Sequence, residues 1–447
     1  MSFEQMKEAL VSAARRAGLE QYEIYFEQDE NVSVETLKQE VSSFSAGVSG
    51  GVSFRCVVDG RMGYASGELL TPEAMDELVS RAVSNARCID STDEAVIFAG
   101  SPRYETVDLP APALADPALL RKTALELQAA AYAASDKVGD GTQSYMMSVV
   151  SEIHLYNSNG LSLSNRVGTT AGYQAAVVRE GDEAQEAFEA AVGGDFAALR
   201  HLPGAAVQKA LDKIGAGQIE SGRYNVVFDG EEFRSFLSTF SDVFSAKQAQ
   251  LGLSLLAGKE GETVAAPCVT VTDDPLRAGY AMQTPFDGEG VATRRKNVIE
   301  GGVLKTLLYD LTTAKKAGRV STGNGQRGGY ASPVTIAPYS FSLAAGDCTR
   351  EELFALAGDG VYITECKGFH AGANPVTGDF SIESAGFRIR NGKRAEPIKS
   401  FTVAGNFFEL LKSIDRLGNE VRWSPLGGFT VFGSPDVLVR GMSIAGK

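Results

Sequence analysis

Apolar and polar residues alternate differently in the two halves of the chain, with helical and strand patterns mixed in the first half and strand patterns dominant in the second. Near the N-terminus, apolar residues recur at helical spacing behind a capping box of Ser2 and Gln5, which predicts a helix over residues 2–17. Alternating runs over 22–28 and 31–38 predict two strands. The chain therefore opens on a helix followed by extended segments.

This arrangement occurs twice before residue 218. The further predicted elements are a hairpin around Asp59-Gly60, a helix opened by Thr71-Pro72, a helix opened by Asp116-Pro117, meandering strands over 144–192 and a helix over 195–215. A proline-rich stretch over 98–117 separates the two units. We predict an N-terminal α+β domain over 1–100 and a middle α+β domain over 101–218.

After a glycine-rich boundary at 215–222, the pattern becomes mostly extended. A buried strand over 224–228 is predicted to run into a helix over 231–250, which carries a stripe of phenylalanines on one face. The remaining predicted elements are strands and hairpins over 269–273, 297–309, 387–403 and 429–444, with two short helices after Thr349 and Asn406. This predicts a β-rich mixed C-terminal domain over 219–447 and an α+β fold class for the whole chain.

Charge and composition exclude several functional classes. The net charge is −14 and the pI about 4.9, which argues against a nucleic-acid backbone or an anionic membrane as the main partner. The five cysteines are widely spaced without a Cys-x-x-Cys pair, and the N-terminus has no basic region followed by an apolar run. No stretch has the ~20 apolar residues that span a bilayer. We expect a cytoplasmic protein.

Few residues are available for familiar catalytic chemistry. The sequence has three histidines, so a Ser/His or Cys/His pairing has few bases to draw on. It has no Gly-x-x-x-x-Gly-Lys-Ser/Thr motif, and Gly288-Glu-Gly290 lacks the third glycine of a dinucleotide fingerprint. Cys366 and His370 could reach one metal ion, with Asp379 and Glu383 as the nearest carboxylates, but a zinc site needs three or four ligands. A small buried cysteine is the simpler interpretation of Cys366.

The segment 287–296 mixes acidic and basic residues in a glycine-rich bend. A solvated turn is the favoured interpretation, because such residues ordinarily lie at the surface. The functional alternative is a polar lip that grips an extended peptide backbone or a carboxylate through Arg294 or Arg295.

Six further segments are distinctive, and they lie at 285–304, 307–310, 321–324, 368–381 (Gly-Phe-His-Ala-Gly-Ala-Asn-Pro-Val-Thr-Gly-Asp-Phe-Ser), 404–408 and 442–447. Together they resemble one known family, the TldD/PmbA proteins, once called modulators of DNA gyrase, and within it the PmbA (TldE) branch. The resemblance implies a bacterial cytosolic metallopeptidase family in which a TldD-like and a PmbA-like chain form a heterodimer that degrades unfolded or leader peptides. The TldD-like chain carries His-Glu-x-x-x-His on a helix and a cysteine near its C-terminus, which hold Zn²⁺.

This sequence departs from that pattern at the metal site. The helix that should carry the motif contains neither His nor Glu over 233–244, and no cysteine follows Cys366. The family's peptidase activity therefore does not transfer to this chain residue by residue. We expect no catalytic residue, no metal and no cofactor in this chain, and zinc in its partner subunit.

The resemblance and the missing ligands lead to one hypothesis and two alternatives. The chain is expected to be the metal-free subunit of a zinc peptidase heterodimer, supplying scaffold and part of a peptide channel, with a homodimer possible in isolation and no direct contact with nucleic acid or membrane. The candidate substrate-binding residues are Arg294, Arg295, His370, Asn374, Asp379 and Ser381. The alternatives are an autonomous homodimeric peptidase that uses Cys366 and His370, and a non-enzymatic modulator that binds DNA gyrase or another protein.

Overall fold

The computed structural model describes residues 2–90, 93–107, 109, 111–193, 196–425 and 430–447, without the side chain of Ala198. Its helices and sheets confirm the predicted α+β class. Pro110 of the predicted linker, Asp195 at the start of a predicted helix and Phe429 at the start of the last predicted strand lie outside the described residues. No helix within the described ranges is long and apolar enough to cross a membrane.

The first 215 residues build one antiparallel sheet with helices on it. Its strands are β1 (Tyr22–Leu37), β2 (Glu40–Val58), β3 (Arg61–Gly67), β4 (Gln143–Asn157), β5 (Ser162–Glu180) and β6 (Glu183–Val192). Its helices are α1 (Phe3–Arg16), α2 (Pro72–Cys88), α3 (Pro117–Ala134) and α4 (Leu202–Leu211). The strand order is β3-β2-β1-β4-β5-β6, so strands of the first and middle predicted domains share one sheet through β1 and β4. The domain boundary near residue 100 stays a prediction.

Helix capping determines where α1 begins, and strand pairing determines how long β1 is. The capping box of Ser2 and Gln5 is present at α1, as predicted. The predicted break between strands 22–28 and 31–38 is wrong, because β1 runs through it as one long strand. Asp29, at the predicted break, pairs with β2 on one side and with β4 on the other. The predicted helix over 195–215 is also too long. A 3₁₀ turn over Phe196–Leu199 precedes α4, which ends at Leu211.

The C-terminal part contains two further six-stranded sheets and a short hairpin. Its strands are β7 (Gly222–Phe228), β8 (Val271–Asp273), β9 (Lys296–Glu300), β10 (Val303–Leu304), β11 (Gly325–Arg327), β12 (Val334–Ile336), β13 (Ser340–Leu343), β14 (Gly360–Lys367), β15 (Asp379–Arg390), β16 (Lys393–Asn406), β17 (Ile414–Leu417), β18 (Arg422–Trp423), β19 (Val431–Ser434) and β20 (Val437–Ala445). Its helices are α5 (Gly230–Thr239), α6 (Ala246–Gln250), α7 (Leu311–Lys316), α8 (Arg350–Ala357), α9 (Phe369–Gly372) and α10 (Phe407–Lys412).

One of these sheets closes on itself. The orders are β10-β9-β8-β13-β19-β18, β11-β12 and β16-β15-β14-β7-β20-β17. An additional pairing of β16 with β20 joins the two sides of the last sheet, so that β16, β15, β14, β7 and β20 form a ring, which we call the barrel. Because β16 and β20 pair with each other, neither strand has an open edge along the segment that they share.

The phenylalanine stripe lies in the core of the C-terminal part, although its helix is shorter than predicted. Phe233, Phe236, Phe240 and Phe244 are all fully buried. The predicted helix over 231–250 is wrong, because it breaks into α5, a 3₁₀ turn over Ser241–Phe244 and α6. Packing explains the break. Phe240 stacks on Phe407 of α10 with 4.4 Å between ring centroids, whereas Phe244 contacts Phe341 of β13. Tertiary contacts therefore override helical continuity here.

A buried charge cluster joins the first sheet to the C-terminal part. Arg327 donates to Glu23 of β1 at 2.5 Å, to the carbonyl of Gly288 at 2.8 Å and to the hydroxyl of Ser53 at 3.2 Å. Arg55 of β2 donates from Nε to the same Glu23 carboxylate at 2.9 Å. These guanidinium groups neutralise a carboxylate that burial would otherwise strongly disfavour.

The same cluster corrects the interpretation of 287–296 as a solvated turn. Asp287 is 1% exposed and Glu289 4% exposed. Asp287 accepts the backbone N–H groups of Glu289, Val291 and Gly325 at 2.9–3.0 Å, so it holds this bend together from inside. Burial raises the pKa of Glu289, and the nearby Asp287 raises it further. Only the basic end of the segment, at Arg294 and Arg295, is exposed.

Candidate functional site

A cavity of about 700 Å³ lies between the first sheet and the barrel, and we call it the inter-domain cavity. One wall comes from β5, β6 and α4, and the other from α5 and β14. The volume falls within the range of roughly 300–1,000 Å³ that ligand sites occupy. Both walls carry charged groups, including Lys209, Lys213, Glu231, Glu232 and Glu365.

Asp229 organises the floor of the inter-domain cavity at the start of α5. Its Oδ1 accepts the N–H of Glu231 at 2.9 Å as an N-cap, and its Oδ2 accepts from Arg350 at 2.8 Å and from the hydroxyl of Tyr362. Arg350 also donates to Asp436 at 2.6 Å. Burial alone would raise the pKa of Asp229, but Arg350, Arg422 and the Tyr362 hydroxyl outweigh it and hold that pKa below its ordinary value.

Glu232 of α5 behaves in the opposite way. Burial, followed by the nearby Asp229 and Glu231 charges, raises the pKa of Glu232 to about 7. Glu232 accepts the backbone N–H of Cys366 at 2.8 Å, which places the cysteine on the same wall. Burial and the Glu232 charge raise the pKa of Cys366 well above its ordinary value. The thiol therefore stays protonated near neutral pH, which makes it a weak nucleophile.

Ion pairs link the two walls. Lys209 of α4 lies 2.9 Å from Glu189 of β6 and 2.9 Å from Glu231 of α5. Lys213 contacts Glu365 of β14 at 2.6 Å. Because each lysine holds a carboxylate of the opposite wall, the cavity has a fixed polar lining that can offer hydrogen bonds to a peptide backbone.

The six predicted substrate-binding residues lie elsewhere. None of Arg294, Arg295, His370, Asn374, Asp379 and Ser381 lines the inter-domain cavity, and all six are exposed. Arg294 and Arg295 precede β9, whereas the other four lie on α9, the following turn and the start of β15. Asn374 accepts the N–H groups of Val376 and Thr377, and Asp379 accepts from Asn406 at 2.9 Å. These contacts explain the local turn, and the assignment to substrate binding stays a prediction.

The residues near α5 do not match the zinc-binding set that the family resemblance describes. The cavity-lining residues of α5 are Glu231, Glu232, Arg234 and Ser235, of which the last two lie in the segment 233–244 that was expected to carry His-Glu-x-x-x-His. Cys366 contacts Ser384 at 3.7 Å, and His370 is exposed on α9. Within the part of the chain that the structure describes, no group of three or more His, Cys, Asp and Glu side chains is arranged to hold a metal ion.

Sequence reasoning missed the network at the floor of the inter-domain cavity. Arg350 is 121 residues from Asp229 and 86 residues from Asp436. No local motif can indicate such a contact, because the strands of the barrel bring the residues together. The one available signal was the Asp229-Gly-Glu-Glu sequence before the phenylalanine stripe, which is typical of a helix N-terminus.

Replacing Glu232 with glutamine should flatten the pH dependence of stability. The folded protein keeps the Glu232 proton up to about pH 7, whereas the unfolded chain releases it near its ordinary pKa. The free energy of unfolding therefore falls as pH rises through this window. Between about pH 5 and about pH 8, the free energy of unfolding of Glu232→Gln should fall by about 1–3 kcal/mol less than that of the wild type. Urea denaturation at several pH values measures this, with the exposed Glu383→Gln as control. Identical slopes for wild type and Glu232→Gln would contradict the proposed protonation.

Comparison with known proteins gives a consistent family match along the chain. Family profiles described as PmbA/TldA metallopeptidase domain 1, central domain and C-terminal domain match residues 22–86, 110–215 and 221–446. A protein of Methanothermobacter thermautotrophicus named metalloprotease is 28% identical, and the alignment covers 91% of each chain. Metalloprotease PmbA of Escherichia coli O157:H7 is 23% identical, over 89% of this chain and 87% of that protein.

Solved structures share the whole architecture. A proposed modulator of a DNA gyrase from Thermotoga maritima superposes with a TM-score of 0.88 at 28% identity, covering 99% of this chain and 100% of that one. TldE from Thermococcus kodakarensis gives a TM-score of 0.88 at 23% identity, covering 98% of this chain and 100% of that one. The second likeness, at that identity, shows the fold alone.

Proposed function

The chain belongs to the PmbA/TldA metallopeptidase family, and we propose that it is a PmbA/TldE-type subunit that pairs with a zinc-binding TldD-like chain. In this role it supplies scaffold and part of an enclosed peptide channel, and the partner supplies the metal. The substrates would be unfolded or leader peptides. We place the complex in the cytoplasm, a proposal supported by five free cysteines, which are typical of a reducing compartment.

The single observation that carries this proposal is the chemistry of the wall formed by α5 and β14. Where a catalytic zinc subunit needs imidazole and thiolate ligands, this wall offers Glu231, Glu232 and a Cys366 whose pKa is raised by burial. This wall has no imidazole, and one cysteine beside carboxyl groups does not make up the three or four ligands that a zinc site needs. The charged groups instead hold each other in place.

The inter-domain cavity and the β-rich half support the peptide-channel part of the proposal. An extended peptide can bind by main-chain pairing to a strand, which is indifferent to the peptide's sequence. Outside the inter-domain cavity, Arg294 and Arg295 are proposed to grip a peptide carboxylate, and His370, Asn374, Asp379 and Ser381 to line a further part of the path. The double variant Arg294→Ala/Arg295→Ala should weaken binding of a fluorescent unfolded peptide to the complex, and unchanged binding would remove these two residues from the channel.

Purification of the chain alone tests the proposal. We expect substoichiometric zinc by elemental analysis and no hydrolysis of an unfolded peptide. Stoichiometric zinc together with turnover would overturn the proposal and favour an autonomous peptidase. In that case Cys366→Ala/His370→Ala should abolish the activity, because these are the residues that the autonomous alternative uses.

A second candidate function follows from the name of one structural relative. The Thermotoga maritima protein is described as a proposed modulator of a DNA gyrase. If this chain acts in that way, it should do so through a protein contact, since its net charge of −14 disfavours DNA. Affinity capture from a lysate that contains both candidates distinguishes the two. Recovery of a gyrase subunit in preference to a TldD-like chain would favour the modulator function.

A further inference from the structure

Another cavity, of about 280 Å³, lies where β5 and β6 of the first sheet face the C-terminal part, and we call it the tryptophan cavity. Small and apolar residues form most of its wall, among them Ala190, Val192 and Val431. β18 contributes to two cavities, with Arg422 in the wall of the inter-domain cavity and Trp423 in the wall of this one. The volume is just below the range of drug-sized ligand sites, so it suits a molecule about the size of one amino-acid residue.

Arg277 is the one charged residue among the described residues that line the tryptophan cavity. Its guanidinium carbon lies 3.8 Å from the centre of the Trp423 ring and 5.0 Å from the centre of the Tyr280 ring. Within the described part of the chain no carboxylate pairs with it, and Asp274, three positions earlier, lies 3.8 Å from Nε of Arg295 instead. Burial lowers the pKa of Arg277, and the nearby Tyr280 and Asp274 only partly offset this. The cavity therefore has a half-buried cation in its wall without a close counter-ion.

Two donor atoms of the same wall lack an acceptor. Nε of Arg277 and the hydroxyl of Tyr280 are both buried, and neither makes a hydrogen bond. Tyr280 is 5% exposed, and burial raises its pKa to about 12 against the opposing effect of Arg277, so its hydroxyl stays protonated at neutral pH. Buried polar groups in native proteins nearly always have a partner. The two unpaired donors therefore mark a place that an acceptor from outside the chain can fill.

Charge and surroundings favour a carboxylate over a phosphate as that acceptor. One guanidinium balances one negative charge, whereas a phosphate monoester carries a charge of about −1.5 to −2 near neutral pH. The excess charge would lie uncompensated in a mostly apolar cavity, which is costly. A carboxylate has two oxygens with about four acceptor positions, so it can accept from Arg277 and Tyr280 together. The apolar wall favours a ligand whose carboxylate is attached to a small apolar group.

From these observations we propose that the tryptophan cavity binds the α-carboxylate of a small apolar residue, with Arg277 and Tyr280 as hydrogen-bond donors to it. The C-terminal residue of a peptide and a free small acid share this chemistry, and the experiment below distinguishes these two sources. The proposal stands independently of the proposed function, because its test uses the lone chain and needs neither zinc nor a peptidase assay.

Titration with N-acetyl-leucine tests the site, and the chain's single tryptophan reports on it. Trp423 lines the cavity, so its fluorescence should change saturably with a dissociation constant of about 10 mM or lower. N-acetyl-leucinamide has the same apolar group without the charge, and it should bind at least about tenfold more weakly. Acetyl-Gly-Gly-Leu should bind at least as tightly as N-acetyl-leucine if the natural source is a peptide C-terminus, and more weakly if it is a free acid.

Two variants test the assigned donors by calorimetry, because a change next to Trp423 alters its fluorescence without ligand. Arg277→Met should weaken the binding of N-acetyl-leucine at least about tenfold, and Tyr280→Phe about threefold or more, since each removes a donor to a charged group. Arg390→Met, which removes an exposed guanidinium that pairs with Glu396, should leave the affinity unchanged. Circular dichroism confirms that each variant is folded, and Tyr280→Phe keeps the buried ring.

Several results would overturn the proposal. The first is the absence of saturable binding of both N-acetyl-leucine and acetyl-Gly-Gly-Leu up to about 10 mM. Equal affinity for N-acetyl-leucine and its amide would show that the charge is not recognised. Tighter binding of inorganic phosphate than of N-acetyl-leucine would show that the site selects charge rather than an apolar carboxylate. Unchanged affinity in folded Tyr280→Phe or folded Arg277→Met would equally contradict the assigned donors.

Discussion

Replacing Arg327 with methionine should lower the free energy of unfolding by about 3–5 kcal/mol. The Arg327 side chain is 1% exposed and pairs with Glu23 of the first sheet at 2.5 Å. Its guanidinium also lies 4.5 Å from the centre of the Tyr25 ring. Methionine keeps the length of the side chain but leaves Glu23 with Arg55 as its remaining close cation and leaves the Gly288 carbonyl without this donor. Urea denaturation followed by circular dichroism measures the loss.

Two controls separate charge from geometry. Arg327→Lys keeps the positive charge but not the planar set of donors, so its free energy of unfolding should lie between those of the wild type and Arg327→Met. Arg390→Met removes an exposed guanidinium that pairs with Glu396, and it should leave the free energy of unfolding close to that of the wild type. If Arg327→Met lowered the free energy of unfolding by less than about 1 kcal/mol, the buried cluster would not be what joins the first sheet to the C-terminal part.

Replacing Arg350 with methionine should cost about 2–4 kcal/mol and disturb the floor of the inter-domain cavity, because Asp229 and Asp436 would lose the cation between them. The pKa of Asp229 is held below its ordinary value in the folded protein, so its contribution is present above the unfolded pKa of about 3.9 and disappears as pH falls. The difference between wild type and variant should therefore shrink below about pH 4.

The single tryptophan offers a local probe of this change. Trp423 lies on β18, beside Arg422, and its carbonyl accepts from Arg234 at 2.6 Å. Its fluorescence should shift in Arg350→Met and stay near that of the wild type in Arg350→Lys, which retains the charge. A variant with wild-type stability and an unchanged fluorescence maximum would show that the network does not shape the cavity.

Periodic and capping signals predicted local structure well where each element is decided by its own residues. The capping box at α1, the Thr71 cap of α2 and the buried phenylalanine stripe all follow from spacing alone. The break between α5 and α6 does not, since it depends on Phe407 and Phe341, which are distant in sequence. Closure of the barrel through β16 and β20 likewise depends on long-range pairing.

The buried charge cluster was less accessible to sequence reasoning than the helices and strands. Asp287 and Glu289 were expected at the surface because their glycine-rich surroundings are typical of a turn. Asp287 is compensated by three backbone N–H groups, and Glu289 by the N–H of Leu311 and by Arg55 at 3.8 Å. No single sequence displays those partners. The missing zinc ligands, by contrast, were evident from the residue types alone, because an absent histidine does not depend on geometry.

Reconstitution with a zinc-binding TldD-like chain tests the central claim most directly. Mixed in equal amounts, the two chains should form a complex that contains one zinc ion per pair and hydrolyses an unfolded peptide. The same mixture should be inactive when the motif histidines of the TldD-like chain are replaced by alanine, because the proposed function assigns every metal ligand to that chain. Zinc retention and peptide hydrolysis by the mixture with the altered TldD-like chain would contradict the account, since the active metal would then have to reside in this chain.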